Sequence, residues 1–236
     1  MTGTVDRSTG TTQRPDKTQH VYDYVIERIV DGTFVSGSSL NIGALASATG
    51  VSLIPTREAL RRLESEGLVE FLFHRGVRVR ELGLEEYREI MQTQAVLEAL
   101  AVGLAVPHLT ADDLRQARAA NDRMDDAVRR GDFRAYNEGS LEFHGILRAP
   151  CPNQHLNHML DRGDSRVAAV RASVVGYRGA VADRLSAEHR HMLDRIAAGA
   201  PPQEIEALMR SHRDETIDAD SEGYRLSAEL GAAART

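Results

Sequence analysis

The sequence predicts a mainly α protein in two parts: a three-helix head closed by a β-hairpin, then an all-α antiparallel helical bundle. Three observations lead there. Hydrophobic residues are 42% of the 236 and aromatics only 5%, so the core is aliphatic and large enough to fold. Within the first 80 residues the apolar spacing changes from helical to alternating. Beyond Glu81-Leu82-Gly83, helical segments punctuated by Gly and Pro follow one another almost to the C-terminus.

Residues 1–16 are polar and rich in Thr, Ser and Gly, and read as a flexible tail. Val21, Val25 and Ile29, flanked by Tyr22 and Ile26, recur at helical spacing and predict a helix over 17–31, stopped at Asp31-Gly32. Ser36-Gly37-Ser38-Ser39 is a link. Asn41 caps a second helix over Ile42–Thr49, with Leu45 inward and Gly50 at its end. Ser52 is the expected N-cap of a third helix, which runs to about Glu66 before Gly67. Pro55 at N3 costs little, because first-turn N–H groups lack helical partners. Leu68–Phe73 and Val77–Arg80 read as strands joined by a turn at His74-Arg75-Gly76. Helix, helix-turn-helix and hairpin in that order make a winged helix-turn-helix, assigned to residues 17–81.

The second part, 84–228, contains six predicted helices, the number and lengths of an antiparallel bundle. They run from about Tyr87 to Leu104, Ala111 to Arg130, Asp132 to Arg148, Asn153 to Tyr177, Arg184 to Ala198 and Gln203 to Leu226. Residues 229–236 read as a second tail.

Composition excludes several classes. A lone Cys151 supports neither a disulfide framework nor a cysteine-based zinc finger. No apolar run approaches the roughly 18–20 residues of a membrane helix, and residues 1–14 lack the apolar stretch of a signal peptide. The expectation is a soluble, cytoplasmic protein without a membrane partner. Net charge is −6, but residues 1–80 carry +1 and residues 81–236 carry −7, while 53–80 carry +2. A small basic focus on an acidic protein can hold a duplex-binding element.

Arg57 and Arg61 lie four apart on the third helix and share a face. Ala59 and Leu63 face the other way. A basic helix face behind a tight turn suits a DNA major groove, and guanidinium forks suit guanine edges and phosphates. Arg75 and Arg78 at the hairpin reach toward a minor groove or backbone. The alternative is that these arginines pair with Glu58, Glu64 and Glu66 on a solvated face. In the bundle, His144, His189 and His212 fall on three different predicted helices, and facing helices can build a metal site from such side chains. Spacing alone leaves their convergence open. His155 and His158 read as a surface pair.

The stretch from Gly50-Val51-Ser52-Leu53-Ile54-Pro55-Thr56-Arg57-Glu58-Ala59-Leu60 to Glu66-Gly67-Leu68-Val69 closely resembles the winged-helix signature of the GntR family. Leu97-Glu98, Phe143-His144, Glu188-His189 and Met209-Arg210-Ser211-His212 resemble the FadR-like branch with its FCD-type effector-binding domain. The resemblance implies a ligand-responsive transcriptional repressor that binds a palindromic operator as a homodimer. A regulator rather than an enzyme is what the resemblance implies. Arg57 matches a DNA-contacting arginine, Ser52 and Thr56 lie where hydroxyls reach phosphate, and Gly76 matches the wing-tip glycine. Two positions depart: Leu53 stands where a basic residue is usual, and Gly43 where a polar one is common. The resemblance also implies that His144, His189 and His212 hold one divalent transition metal, Zn or Ni, per chain. The usual aspartate one turn before the first histidine is here Ser140, and Glu142 points about 160° away from His144 on that helix. Open metal positions would accept an effector carboxylate. The family often carries an arginine three residues before the Leu-Glu pair, where this chain has Gln94. The resemblance implies effector contacts from Gln94 and Ser140 and a less acidic or differently shaped ligand if that arginine meets an effector carboxylate; the alternative is that Gln94 is an ordinary helix-face residue. A metal-dependent helical enzyme and an interaction module without DNA binding remain the alternatives.

Overall fold

The computed structural model describes residues 16–73, 76–173 and 179–233. Among the described residues it contains nine α-helices and three short strands, with the helical bundle following the small α/β head.

In the head, α1 (Lys17–Val30) is capped by Asp16, whose carboxylate accepts from the Thr18 and Gln19 amides at 2.9 and 3.2 Å. Its apolar stripe Val21, Val25 and Ile29 is fully buried. Asn41 caps α2 (Ile42–Thr49), and Gly50 ends it at φ 66°, a left-handed conformation that glycine adopts without strain. α3 (Leu53–Ser65) starts at Ser52, which is extended like an N-cap but makes no side-chain capping bond. The N-cap thus stands at Ser52 as expected, but the helix starts from the turn geometry without a side-chain bond. Ala59, Leu60 and Leu63 of α3 pack against α1 and the sheet in one aliphatic core.

β2 (Val69–Leu72) and β3 (Gly76–Val79) form the expected antiparallel hairpin. The sheet order is β1-β3-β2, because Ser39–Leu40 adds a first strand, β1, to the free edge of β3. That strand falls in what the sequence reads as a link. Two residues are too short to show alternation, and Leu40 is buried by its pairing with Val77.

The bundle comprises α4 (Leu84–Ala105), α5 (Ala111–Arg130), α6 (Phe133–Arg148), α7 (Gln154–Ser173), α8 (Gly179–Ala197) and α9 (Pro202–Ala233). A single 3-10 turn, Val106–His108, follows α4 and absorbs Pro107. α5 opens on a reciprocal capping box between Thr110 and Asp113 and closes on Gly131 at φ 66°. α4 packs mainly on α9 and α7, and α5 on α6 and α8. α9 runs past the expected end near Leu226, so residues 229–233 are helical. No proline intervenes there, and Ala, Glu and Leu favour helix.

The statement that no apolar run approaches membrane length also needs correction. Leu84–His108 is long and apolar enough to cross a bilayer, at mean hydropathy 1.4, but half of its apolar window is buried inside the bundle. The helix is apolar because it is central: Met91, Ala95, Ala99, Ala101 and Val102 form core, while Val96, Leu100 and Leu104 remain 38–48% exposed on its outer side.

Head and bundle meet through several bonds. Glu86 at the start of α4 pairs with Arg80, just after β3, at 3.0 Å and with Arg166 of α7 at 2.8 Å. The Tyr224 hydroxyl of α9 donates at 2.9 Å to the carbonyl of Leu82, in the link between the two parts, and α7 lies against α1.

Candidate functional site

Two sites emerge, one in each part. On the head, the buried arc of α3 turns Leu53, Ile54, Arg57 and Arg61 outward, within about 100° of one another at 100° per residue. Arg57 is exposed and makes no ion pair or hydrogen bond with the described residues. Arg61 is tethered: it pairs with Glu64 at 2.7 Å, and its guanidinium lies 3.9 Å from the centre of the Phe71 ring. Arg78 pairs with Glu70 at 2.5 Å. Two competing sequence readings are thus both realised. Arg57 projects freely from the recognition face, whereas Arg61 and Arg78 are partly neutralised by neighbours. Ser52 is exposed at the start of α3. Thr56 is fully buried, and its hydroxyl donates back to the Ser52 carbonyl at 3.0 Å. It therefore braces the first turn of α3 from inside and does not lie where a phosphate would. Gly76 opens β3 at φ 88°, with no atom within 4 Å of the place a Cβ would take. Arg75 lies outside the described residues.

In the bundle, His144 of α6, His189 of α8 and His212 of α9 converge, as their spacing could not show. Their nearest ligand atoms lie within 4.8 Å of one another, and all three residues are buried. His189 Nε2 and His212 Nε2 are 3.0 Å apart. Phe143 stacks on the His189 ring at 3.8 Å between centroids.

The outer nitrogens are as informative as the inner ones. His189 Nδ1 is 2.8 Å from Asn121 Oδ1, and Asn121 is held in that orientation because its amide nitrogen donates to the Ser186 carbonyl at 3.3 Å. His212 Nδ1 is 2.9 Å from Glu188 Oε2, and His144 Nδ1 is 2.8 Å from Glu98 Oε1. The Nδ1 atoms of His189 and His212 thus face oxygen acceptors in hydrogen-bond geometry, which favours the tautomer with the hydrogen on Nδ1 in both. Two bare Nε2 lone pairs then oppose each other at 3.0 Å between His189 and His212. A cation relieves that arrangement, and oxygen acceptors behind each imidazole are the usual support of metal-ligating histidines. Burial, then the neighbouring histidines and Arg213, hold His189 well below its ordinary range. Burial likewise lowers His212 against the opposing pull of Glu188. Neutral imidazoles are what a divalent transition metal requires. The donor set fits such a metal.

Ser140 lies one turn before His144 and is buried with it. Glu142 pairs with Arg123 on the outside of the bundle, so it supplies no substitute carboxylate. The nearest buried carboxylate is instead Glu98, 1% exposed and bonded by Arg213, itself 4% exposed. A cavity of about 300 Å³ between α8 and α9, lined by Glu188, His191, Ser211 and His212, borders the centre from the solvent side. Gln94 sits one turn before Glu98 and is fully engaged. Its amide nitrogen donates to the Leu160 carbonyl at 3.0 Å and to Asp164 at 3.1 Å, both on α7. It lines a separate cavity of about 680 Å³ between head and bundle, with Arg80, Glu86 and Arg166. Sequence reasoning assigned no role to Asn121, Glu98, Glu188 or Arg213. A lone carboxylate in the apolar run of α4 and a lone amide on the small-residue face of α5 were the available signals.

A winged helix-turn-helix head with one free arginine on its third helix, joined to a helical bundle with a buried histidine centre, defines the class of DNA-binding, ligand-sensing regulators. Residues 17–79 match the gntR family of bacterial regulatory proteins and residues 89–215 match the FCD domain. The chain belongs to the gntR family and carries an FCD effector-binding domain: it is a DNA-binding transcription regulator and not an enzyme. It is 28% identical over 190 residues to a probable D-xylose utilization operon transcriptional repressor of Paenarthrobacter nicotinovorans, covering 80% of this chain and 82% of that protein. It is 27% identical over 177 residues to the HTH-type transcriptional regulator YdhC of Bacillus subtilis (strain 168), covering 74% and 78%. The fold is shared with E. coli McbR/YncC at a TM-score of 0.75 and 22% identity, over 88% of this chain and 98% of that one. A GntR regulator from Rhodococcus sp. RHA1 superposes at a TM-score of 0.73, also at 22% identity and over the same shares.

Proposed function

We propose that this regulator is a cytoplasmic repressor that binds a palindromic operator as a homodimer and senses a carboxylate metabolite at a metal-carrying histidine centre. The DNA-binding unit is residues 17–81 and the effector unit residues 84–228. The observation that carries the sensing part is the opposed Nε2 pair of His189 and His212 at 3.0 Å with an oxygen acceptor behind the Nδ1 of each. His144, His189 and His212 would hold one Zn or Ni ion, which supplies Lewis acidity and open positions for a carboxylate. The chain's own residues fix the ring orientations through Glu98, Asn121 and Glu188, and keep the imidazoles neutral through burial. Arg57, with Ser52 at the start of the same helix, contacts DNA. Arg61 and Arg78 add contacts once released from Glu64 and Glu70.

Dimerisation is supported by Val96, Leu100 and Leu104, which form an exposed apolar stripe at four-residue spacing on α4. Two heads related by a two-fold axis then read two half-sites. The repressor role is supported by the printed role of the Paenarthrobacter relative. The test is elemental analysis of untagged protein purified without chelator. About one metal ion per chain is expected, falling to none in His189→Ala. A folded protein that takes up no Zn or Ni on reloading would refute the metal centre.

A further inference from the structure

The two departures from the family's sequence pattern, Leu53 and Gly43, stand on different helices, yet they meet. Gly43, Ala46 and Ser47 of α2 and Leu53 and Ile54 of α3 line one shallow depression of about 710 Å³ on the outer face of the head. Leu53 is 51% exposed and Ile54 72% exposed, while the apolar residues behind them on α3 are buried completely. At about 100° per residue, free Arg57 projects between Leu53 and Ile54. The front of the recognition helix is therefore an apolar patch set around one guanidinium, bordered by small side chains that keep the depression open.

Large aliphatic side chains so exposed at the start of such a helix need a partner. In a major groove, the one apolar group a base pair presents is the thymine 5-methyl. Neither the Leu53 nor the Ile54 side chain can hydrogen-bond a base edge or phosphate, so what these side chains gain on docking is the removal of apolar surface from water. Resting on the DNA-binding reading above, we propose that Leu53 and Ile54 are specificity-determining residues that read thymine methyl groups, seated in the Gly43–Ser47 depression, at base pairs flanking the one that Arg57 contacts. The lost basic residue and the lost polar residue are on this view one change: polar readout exchanged for apolar readout at the same place.

The experiment starts from the intact protein and a random duplex pool. Bound duplexes are selected, and the affinity of the recovered site is measured by fluorescence anisotropy. Each thymine is then replaced singly by deoxyuridine, which lacks only the methyl. At one or two thymines per half-site, the replacement is expected to weaken binding about fourfold for each methyl removed. Leu53→Ala or Ile54→Ala, both at exposed positions, should abolish that sensitivity while leaving that of other thymines intact. Leu53→Arg should move the preference at the affected position toward guanine. Equal affinity for thymine and uracil duplexes, with Arg57→Ala still weakening binding, overturns the thymine assignment alone. Recovery of no duplex overturns the DNA-binding reading together with it.

Discussion

The histidine centre should make the metal-free fold sensitive to mild acid. His189 and His212 are 1% and 3% exposed, and both resist protonation because burial penalises the charged ring. In the unfolded chain each titrates near the ordinary value of 6.5. Above about pH 7 both states are neutral and the pair leaves stability unchanged. As pH falls through 6.5 the unfolded chain takes up protons that the fold refuses, so stability is lost until the depressed folded values are reached. Between pH 7.5 and 5.5 proton uptake by the unfolded chain sets a ceiling of about 1.4 kcal/mol for each histidine, or about 3 kcal/mol for the pair. That is a large share of the 5–15 kcal/mol typical of a domain. Urea unfolding followed by far-UV circular dichroism, in EDTA at both pH values, measures it. The comparison is with the double variant His189→Gln, His212→Gln, whose side chains do not titrate. The wild type should lose more stability than the variant over this interval, up to that ceiling. Equal losses would mean that the two rings are protonated as readily in the fold as in the unfolded chain, and the burial argument would fail.

Three further outcomes follow from particular contacts. Arg57→Ala should weaken operator binding by about 1–3 kcal/mol and relax specificity at one base pair per half-site, whereas Arg61→Ala, already paired with Glu64, should cost less; titrations against duplexes altered one base pair at a time separate the two. Gly163→Ala should destabilise the bundle by about 1–3 kcal/mol in urea unfolding, because a Cβ there would overlap the Gln94 side chain, which is pinned by two bonds to α7; an unchanged midpoint would show that Gln94 yields freely. Leu100→Glu should turn the proposed homodimer into a monomer in sedimentation velocity, since it sets a charge in the middle of the α4 stripe; a dimer that persists would place the partner on another surface.

The head was legible because its signals are local. Helical spacing at Val21, Val25 and Ile29, the turn at Gly50, and the alternation over Val77–Arg80 each declare an element within a few residues. β1 was missed because its two residues become a strand only by pairing with β3. The idle Ser52 side chain shows the same limit, since residue type predicts a cap but not its geometry. Thr56 was read as outward because hydroxyls suit phosphate; its burial is decided by the inward arc it shares with Leu60 and Leu63. In the bundle, the three histidines could be named from the sequence, yet their meeting depends on how α6, α8 and α9 are arranged. Their supports were out of reach for that reason. Asn121 belongs to α5 and Glu98 to α4, far from the histidines in sequence, and only packing brings them behind the rings.

The same packing ties the histidine centre to the head. Glu98 touches His144 and is bonded by Arg213 of α9, so α4, α6 and α9 are held at one point. One turn back along α4, Gln94 fastens that helix to α7 through Leu160 and Asp164. Asp164 is also paired with Arg148 of α6 at 2.8 Å. Two residues further along α7, Arg166 reaches Glu86, and Glu86 holds Arg80 immediately after β3. α7 therefore contacts both the helix that bears the site's buried carboxylate and the salt-bridged junction below the wing. A close-packed interior does not absorb displacement gradually. A ligand that moves α4 against α7 must either break the Gln94 bonds or carry α7 with it, and α7 lies directly on α1 of the head. Because each head of a dimer must meet its half-site at a fixed spacing, a small rotation there changes operator affinity without altering any residue that touches DNA. By linkage, DNA must shift effector affinity by the same factor.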